Sequence, residues 1–419
     1  MTYLTLGEVA EYINGRAFKP NEWEDIGLPI IRIQNLTNST QVINRTSKVF
    51  EDKYLVKEGD LLFAWSASLG AHLWHGEDGW LNQHIFKVIP HANIDKMYLY
   101  YFLLHVIDEL YAKTHGSGMV HITLKPFKST PIPVPELDIQ RKIAETISNL
   151  FSKLDESKEK AQEIVDGFET RKVAILHKAF SGELTAKWRE ENEIPINSWQ
   201  ETKLGYVLRE IKYGSSEKSD YSYTGIPVLR IPNIGDMELI FDDLKFLRQN
   251  DCLPNEYLEE NDILIIRSNG SKDLVGKCAL VKDLDQKYTY ASFLIRLRVS
   301  DDIYSPYIVW YLNSENARKQ LFRKAKSSAG IHNINSKEIA DIDITIPHIA
   351  EQNEIVNILS ALIEKKKQVR ETAEAVIEQI DAMKKAILAR AFRGELGTND
   401  PSEESAVELL KRVLSGGEN

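Results

Sequence analysis

The chain has 419 residues, 43% of them hydrophobic and 27% charged, a composition that can build roughly two to four globular domains. Its 52 Lys and Arg against 62 Asp and Glu leave a net charge of −10, which argues against a uniformly basic nucleic-acid binder and leaves only local runs such as 317–326, "ARKQLFRKAK", readable as a solvated helix face or as a binding patch. Cys252 and Cys278 lack CxxC spacing and clustered His partners, so neither a zinc site nor a disulfide framework has support in the sequence. The opening "MTYLTLGEVAEYI" and the short apolar runs give neither a leader nor a membrane span, so a cytoplasmic protein is expected.

From "LGEVAEYINGR" to "STPIPVPELD", short runs of Ile, Leu and Val alternate with Gly, Asn, Asp and Pro. That pattern predicts a mixed, strand-rich domain over 1–139. The period then changes. No proline intervenes between Gln140 and Phe180, and Ile143, Ile147, Leu150, Leu154, Ser157, Ala161, Ile164, Phe168, Arg171 and Ile175 recur at spacings of 4 and 3. This is an a/d seam, and it predicts a long helix over 140–184. A linker over 185–201, a second strand-rich domain over 202–351, a second long helix over 352–396 and a tail over 397–419 follow. The second seam is Ile355, Leu359, Leu362, Lys366, Val369, Ala373, Val376, Ile380, Met383 and Ile387.

The two halves are copies of one unit. "AFSGEL" at 179–184 returns as "AFRGEL" at 391–396, an offset of 391 − 179 = 212, and Gly118, Ile122, Pro135 and Gln140 map onto Gly330, Ile334, Pro347 and Gln352 at the same offset. "LPIIRIQNL" (28–36) matches "IPVLRIPNI" (226–234) at 198, and "GDLLFAWS" (59–66) matches "NDILIIRS" (261–268) at 202. The rising offset places insertions in loops of the second copy. The polar exceptions on the two seams, Ser157, Arg171 and Lys366, fall at different places. The simplest arrangement pairs the helices antiparallel, each polar residue facing an apolar one. Gly182 and Gly394 are placed to end the helices in the left-handed conformation. The expected fold is therefore α+β: two repeated strand-rich domains, each followed by a long helix, with an antiparallel coiled coil and pseudo-two-fold design.

Paired "LGEVAEYINGR" and "LGYVLREIKYG" openings, "GDLLF" strands, Gly-x-x-x-Ile turns, an "IPxP…Q" entry and "AFxGEL" endings together resemble the specificity subunit of a Type I restriction-modification system. The resemblance covers nearly the whole chain. It implies two target-recognition domains that each read one half of a split, asymmetric site on double-stranded DNA, held apart by the helices. It further implies no catalysis and no cofactor in this chain. Two methyltransferase subunits would bring S-adenosylmethionine and flip the target adenine, and restriction subunits would bring ATP and Mg. No membrane partner is implied, and the setting is the prokaryotic cytoplasm. A duplicated protein-binding scaffold that does not read DNA is the alternative. The sequence has no Asn/Asp-Pro-Pro-aromatic tetrad and no Walker motif, and the histidines of "HGSGMVH" (115–121) are not kept as a pair in "KSSAGIHNI".

Base reading needs donors and acceptors on loops beside a rigid sheet. Trp65, Ser66 and Ser68 in the first copy, and Arg267, Ser268, Asn269 and Lys272 in the second, follow the matching strands with different chemistry. Arg267 suits a guanine edge and Asn269 an adenine edge. Arg16, Lys19, Lys212, Ser215, Ser216 and Lys218 fit phosphate anchors in polar loops, which position without specifying. Arg32 and Asn35 match Arg230 and Asn233, either as a shared phosphate contact or as an internal tie. Lys125, Lys128, Lys326, His332 and Lys337 beside the paired glycine turns complete the candidates for phosphate.

Overall fold

The computed structural model describes residues 2–37, 42–112, 121–248, 251, 254–328 and 330–396. Gly118, His115, Cys252 and the expected tail 397–419 lie outside them. The chain divides into two compact units, Met1–Gln162 with Glu374–Asn419, and Glu163–Ala373.

The first unit is built on a four-stranded antiparallel sheet in the order Ala10–Asn14, Ile85–Pro90, Leu61–Ala64, Gly70–Leu73. The "LLFA" strand is apolar throughout because both its faces are covered. Leu61 and Phe63 enter the large core with helix Lys96–His105, while Leu62 packs among Ile31, Val56, Trp74 and Leu81. Alternating side chains leave a strand on opposite faces, so a continuous apolar run is what two-sided burial requires. A second sheet runs Arg45–Thr46, Leu28–Ile31, Gly79–Leu81, Leu55–Val56. Thr2–Thr5 pairs separately with Pro131–Val134.

The second unit repeats this plan. Its main sheet is Leu208–Tyr213, Leu294–Val299, Ile263–Ile266, Cys278–Leu280. Ile263 and Ile265 enter one core, Leu264 and Ile266 the other. The smaller sheet keeps the antiparallel and parallel pairs of the first, now Lys245–Arg248, Gly225–Leu229 and Thr289–Tyr290. Gln200–Lys203 pairs with Asp343–Ile346 as Thr2–Thr5 does with its partner.

Each long helix starts from a buried glutamine. Gln140 donates from Nε2 to the Pro135 carbonyl at 2.9 Å and accepts the Asp95 N–H at 2.9 Å. Gln352 donates to Pro347 at 2.9 Å and accepts from Tyr304 at 2.8 Å. This bond pair explains the "IPxP…Q" signature: the amide side chain satisfies backbone groups that the entry turn leaves without partners.

The first helix departs from expectation. It runs Leu137–Asp166, breaks at Gly167 and resumes over Phe168–Phe180, with the Arg171 guanidinium folded onto the Ile164 carbonyl. The second is unbroken over Ile349–Phe392. The pairing is antiparallel within each unit. Lys158 meets Asp381 at 2.6 Å and Lys384 meets Asp155 in the first, and Arg370 lies 4.4 Å over the Phe168 ring in the second. The expected matching of polar to apolar seam residues does not hold at mid-helix. Ser157 and Lys366 are exposed, and so are Ile164 and Val369. Arg171 is occupied by its own helix rather than by a seam partner.

Both helices end alike. Gly182 and Gly394 have φ of +82° and +78°, the left-handed turn expected of them. Phe180 lies against Tyr307 and Tyr311 at ring distances of 5.5 and 5.1 Å, and Phe392 against Tyr98 and Phe102 at 5.3 and 5.1 Å. The helix that leaves the first repeat thus ends in the core of the second unit, and the helix that leaves the second repeat ends in the core of the first. Duplicate "AFxGEL" endings meet duplicate surroundings.

Candidate nucleic-acid interface

In the second unit the chain beyond Ile263–Ile266 forms a small sheet. Ser268–Asn269 pairs with Ile331–Asn333, which pairs with Lys326–Ser328. Three segments separated in sequence thereby come together. Ser268 faces Asn333 and Asn269 faces His332 across the ladder. Arg267 stands at its edge, the guanidinium 4.6 Å over the Tyr213 ring and Nη2 3.4 Å from Asn333 Oδ1, while its buried Nε has no hydrogen-bond partner. The Arg267 guanidinium is thus held between an aromatic ring and one side-chain carbonyl oxygen. Asn269 accepts the Ser271 N–H on Oδ1 at 2.7 Å. Lys272 lies 5.4 Å over Phe322 and stays exposed.

The first unit keeps the same backbone. Ser66 bridges His121 as Ser268 pairs with Asn333, and the Ile122 N–H reaches the Trp65 carbonyl at 3.1 Å as the Ile334 N–H reaches Arg267 at 2.9 Å. The chemistry differs. Trp65 donates its indole N–H to Asn14 at 3.0 Å and packs 4.9 Å from His84 and 5.8 Å from Phe86. Ser68 is exposed beside it.

Several expected contacts are corrected by burial or by partners already present. Ser66 is 2% exposed and cannot present its hydroxyl to a duplex. Asn233 is wholly buried; it accepts the Arg230 N–H at 2.8 Å and donates to the carbonyls of Ile240 and Asp242. Arg230 is tied to Asp243 at 3.0 Å. Of the two alternatives for this pair, the internal tie is the one present. Arg32 and Asn35 repeat its core bond at 3.1 Å, with Arg32 also reaching Asn44 and lying 5.5 Å over Trp23. Arg16 forms a two-point pair with Glu22 at 2.7 and 3.1 Å and lies against the rings of Phe18 and Phe50, so its charge is already neutralised. That guanidinium holds the Glu22 carboxyl down at about 2, with the Lys19 N–H adding to the effect. Lys212 belongs to strand Leu208–Tyr213 rather than to a loop, and its ammonium sits on the Asn255 carbonyl at 3.2 Å. Ser215 is buried and caps the Glu217 N–H.

Lys19, Ser216, Lys218, Lys125 and Lys337 are exposed; Lys128 lies 5.8 Å over the Tyr12 ring and is half-buried. Lys326 is in its strand, its side chain outside those described. In the basic run the solvated-face reading prevails in part. Lys319 pairs with Glu315 at 2.6 Å and Lys324 with Asp341, while Arg318 caps the Val275 carbonyl at 2.8 Å.

Among the described residues no group of His, Cys, Asp and Glu is placed to hold a metal ion, and no helix is long and apolar enough to cross a membrane. Two loop-bearing scaffolds thus share one backbone and carry different side chains. The sequence matches the Type I restriction modification DNA specificity domain over residues 1–165 and 197–379, and the chain belongs to that family as a specificity subunit, which is the non-catalytic kind of subunit in such systems. It is 29% identical to the specificity subunit of the Type I restriction enzyme EcoKI from Escherichia coli (strain K12), over 97% of this chain and 93% of that one. It is 26% identical to that of MjaVIII from Methanocaldococcus jannaschii, over 93% and 92%. The HsdS subunit from Thermoanaerobacter tengcongensis shares the fold with a TM-score of 0.59 at 19% identity, covering 94% and 97% of the two chains. A chain of a type I R-M system solved for its complex assembly shares it at 0.70 and 18% identity, covering 94% and 98%.

Proposed function

We propose that each unit reads one half of a bipartite DNA site and that the paired helices set the gap between the halves. The chain then presents that site to two methyltransferase subunits and to restriction subunits in the prokaryotic cytoplasm. S-adenosylmethionine would be held by the methyltransferase partners, and ATP and Mg by the restriction partners. The observation that carries this reading is the loop pair: Trp65 and Arg267 occupy the same backbone position with the same hydrogen bonds and opposite chemistry. A protein-only scaffold would have no need for such divergence on a preserved frame.

The test is a methylation map of genomic DNA exposed to the assembled methyltransferase complex. Arg267→Ala is expected to cost about 1–3 kcal/mol and to relax one or two base positions in a single half-site. Lys218→Ala should weaken all sequences alike and reduce the salt slope by about one. Uniform loss of affinity on Arg267→Ala would make that residue an anchor and displace the reading loop from its assignment.

A further inference from the structure

The two reading loops differ by more than one residue each. Around position 65 in the first unit stand Asn14, which accepts the indole N–H at 3.0 Å, and His84, 4.9 Å away. The backbone identifies their counterparts. The Gly15 N–H bonds the Ile85 carbonyl as Gly214 bonds Leu294, so Asn14 corresponds to Tyr213. The Trp65 N–H bonds the His84 carbonyl at 3.0 Å as the Arg267 N–H bonds Phe293 at 3.0 Å, so His84 corresponds to Phe293. Three positions therefore recur as a cluster, Asn14, Trp65 and His84 in one unit and Tyr213, Arg267 and Phe293 in the other.

We infer that Phe293 is a specificity-determining residue that contacts the C5-methyl group of a thymine next to the base read by Arg267. The inference rests on the reading that the second unit recognises one half-site. A single exposed aromatic on a protein surface is ordinary. Phe293 is set apart by its place. It is 57% exposed, its carbonyl is bonded to the backbone of Arg267, and the guanidinium of Arg267 lies 4.6 Å over the ring of Tyr213, itself 37% exposed. The first unit fills the equivalent position with a polar ring. In the major groove the thymine methyl is the one apolar feature of a base edge and suits a phenyl ring, as a guanine edge suits an Arg; the backbone bond between Phe293 and Arg267 places the two residues side by side. Tyr213 then acts as a positioning residue that holds the guanidinium plane, itself fixed by accepting the Ser336 N–H at 2.9 Å.

The test uses the assembled methyltransferase complex on its mapped site, with the half-site of the second unit identified by Arg267→Ala. Each thymine there is replaced singly by deoxyuridine, which lacks only the methyl group, and binding is measured by competition. The unaltered protein is expected to lose about four-fold at one position, the worth of one buried methyl. Phe293→Ala should bind thymine and uracil equally at that position, and Phe293→Leu should restore part of the difference. Thymines of the other half-site should respond identically in all variants. The inference is overturned if Phe293→Ala keeps the uracil penalty, or if no thymine methyl in that half-site matters while the bipartite site is still read. Loss of all sequence preference by the unaltered complex would instead overturn the proposed function. Because Phe293 is largely exposed, its removal opens no core cavity, and a thermal melt matching that of the unaltered chain confirms the fold.

Discussion

The two units share a sheet order and differ in what they place inside it. In the first, Asp60 accepts the Lys57 N–H at 2.8 Å and is matched by Lys87 at 2.7 Å, with both side chains partly in water. In the second, Asp262 accepts the Glu259 N–H at 2.8 Å in the same turn but is 1% exposed, and Lys87 is replaced by the wholly buried Arg296. Arg296 reaches Glu210 at 2.6 Å and the Tyr257 carbonyl at 2.9 Å, while Arg298 clamps Asp262 at 2.6 and 3.1 Å. One backbone thus carries either a half-solvated pair or a sunken group of charges. Desolvation makes the second arrangement expensive to break and weakly stabilising when whole, so its presence speaks for a fixed geometry. The strand that bears Arg296 runs back to Phe293, at the head of the inferred reading cluster.

The comparison can be broken at several depths. The largest effect is expected at the helix ends: Phe392→Ala should cost about 3–5 kcal/mol, because that ring is 5% exposed among Tyr98 and Phe102, and Phe180→Ala less, because its ring is only half-buried. Hydrogen exchange should show each loss in the unit where the ring lands, not in the repeat its helix came from. Next comes Arg296→Ala, at about 3 kcal/mol, since it strands buried acceptors. Lys87→Ala, its counterpart, should cost about 1 kcal/mol or less. Equal urea midpoints for these two variants would erase the distinction. The smallest effect belongs to pH. Glu22 has no counterpart tie at Ser215, and its carboxyl is held at about 2 against an ordinary 4.5. A depressed acid stabilises fully above its unfolded value and loses that contribution as pH falls from about 4.5 toward 2. Glu22→Gln should flatten that part of the acid titration for the first unit alone, as followed by exchange at the Lys19 N–H.

Much of this was legible in the sequence because it is periodic or repeated. The duplication, the helix pair, the glycine stops and the strands before Trp65 and Arg267 all follow from spacing. What escaped was local. Gly167 breaks a helix whose seam continues through it, since a seam reports the face to be buried and not the unbroken ladder behind it. For Asn233 the sequence leaves a phosphate contact and an internal tie equally open, and only its three bonds to backbone decide for the tie. His84 and Phe293 stand in turns where the offset between repeats has become 293 − 84 = 209, between the 202 and 212 of the recognisable motifs. No short match aligns them; only the bond from the neighbouring strand does.

The exchange of helix ends also sets a timetable for synthesis. The core that contains Leu6, Phe63 and Ile147 is completed by Ile380, Ile387 and Phe392. A nascent chain emerging from the ribosome must therefore make the whole second domain before the first can close. Until then the apolar stripe from Ile143 to Leu154, which packs with Leu99, Tyr101 and Phe102, lacks the part of its cover that Ile380, Met383 and Ile387 supply. Contacts of such long sequence separation are slow to form and leave sticky surface exposed in the interval. The same chain crossing that ties the two domains together makes the first one translated the last one finished.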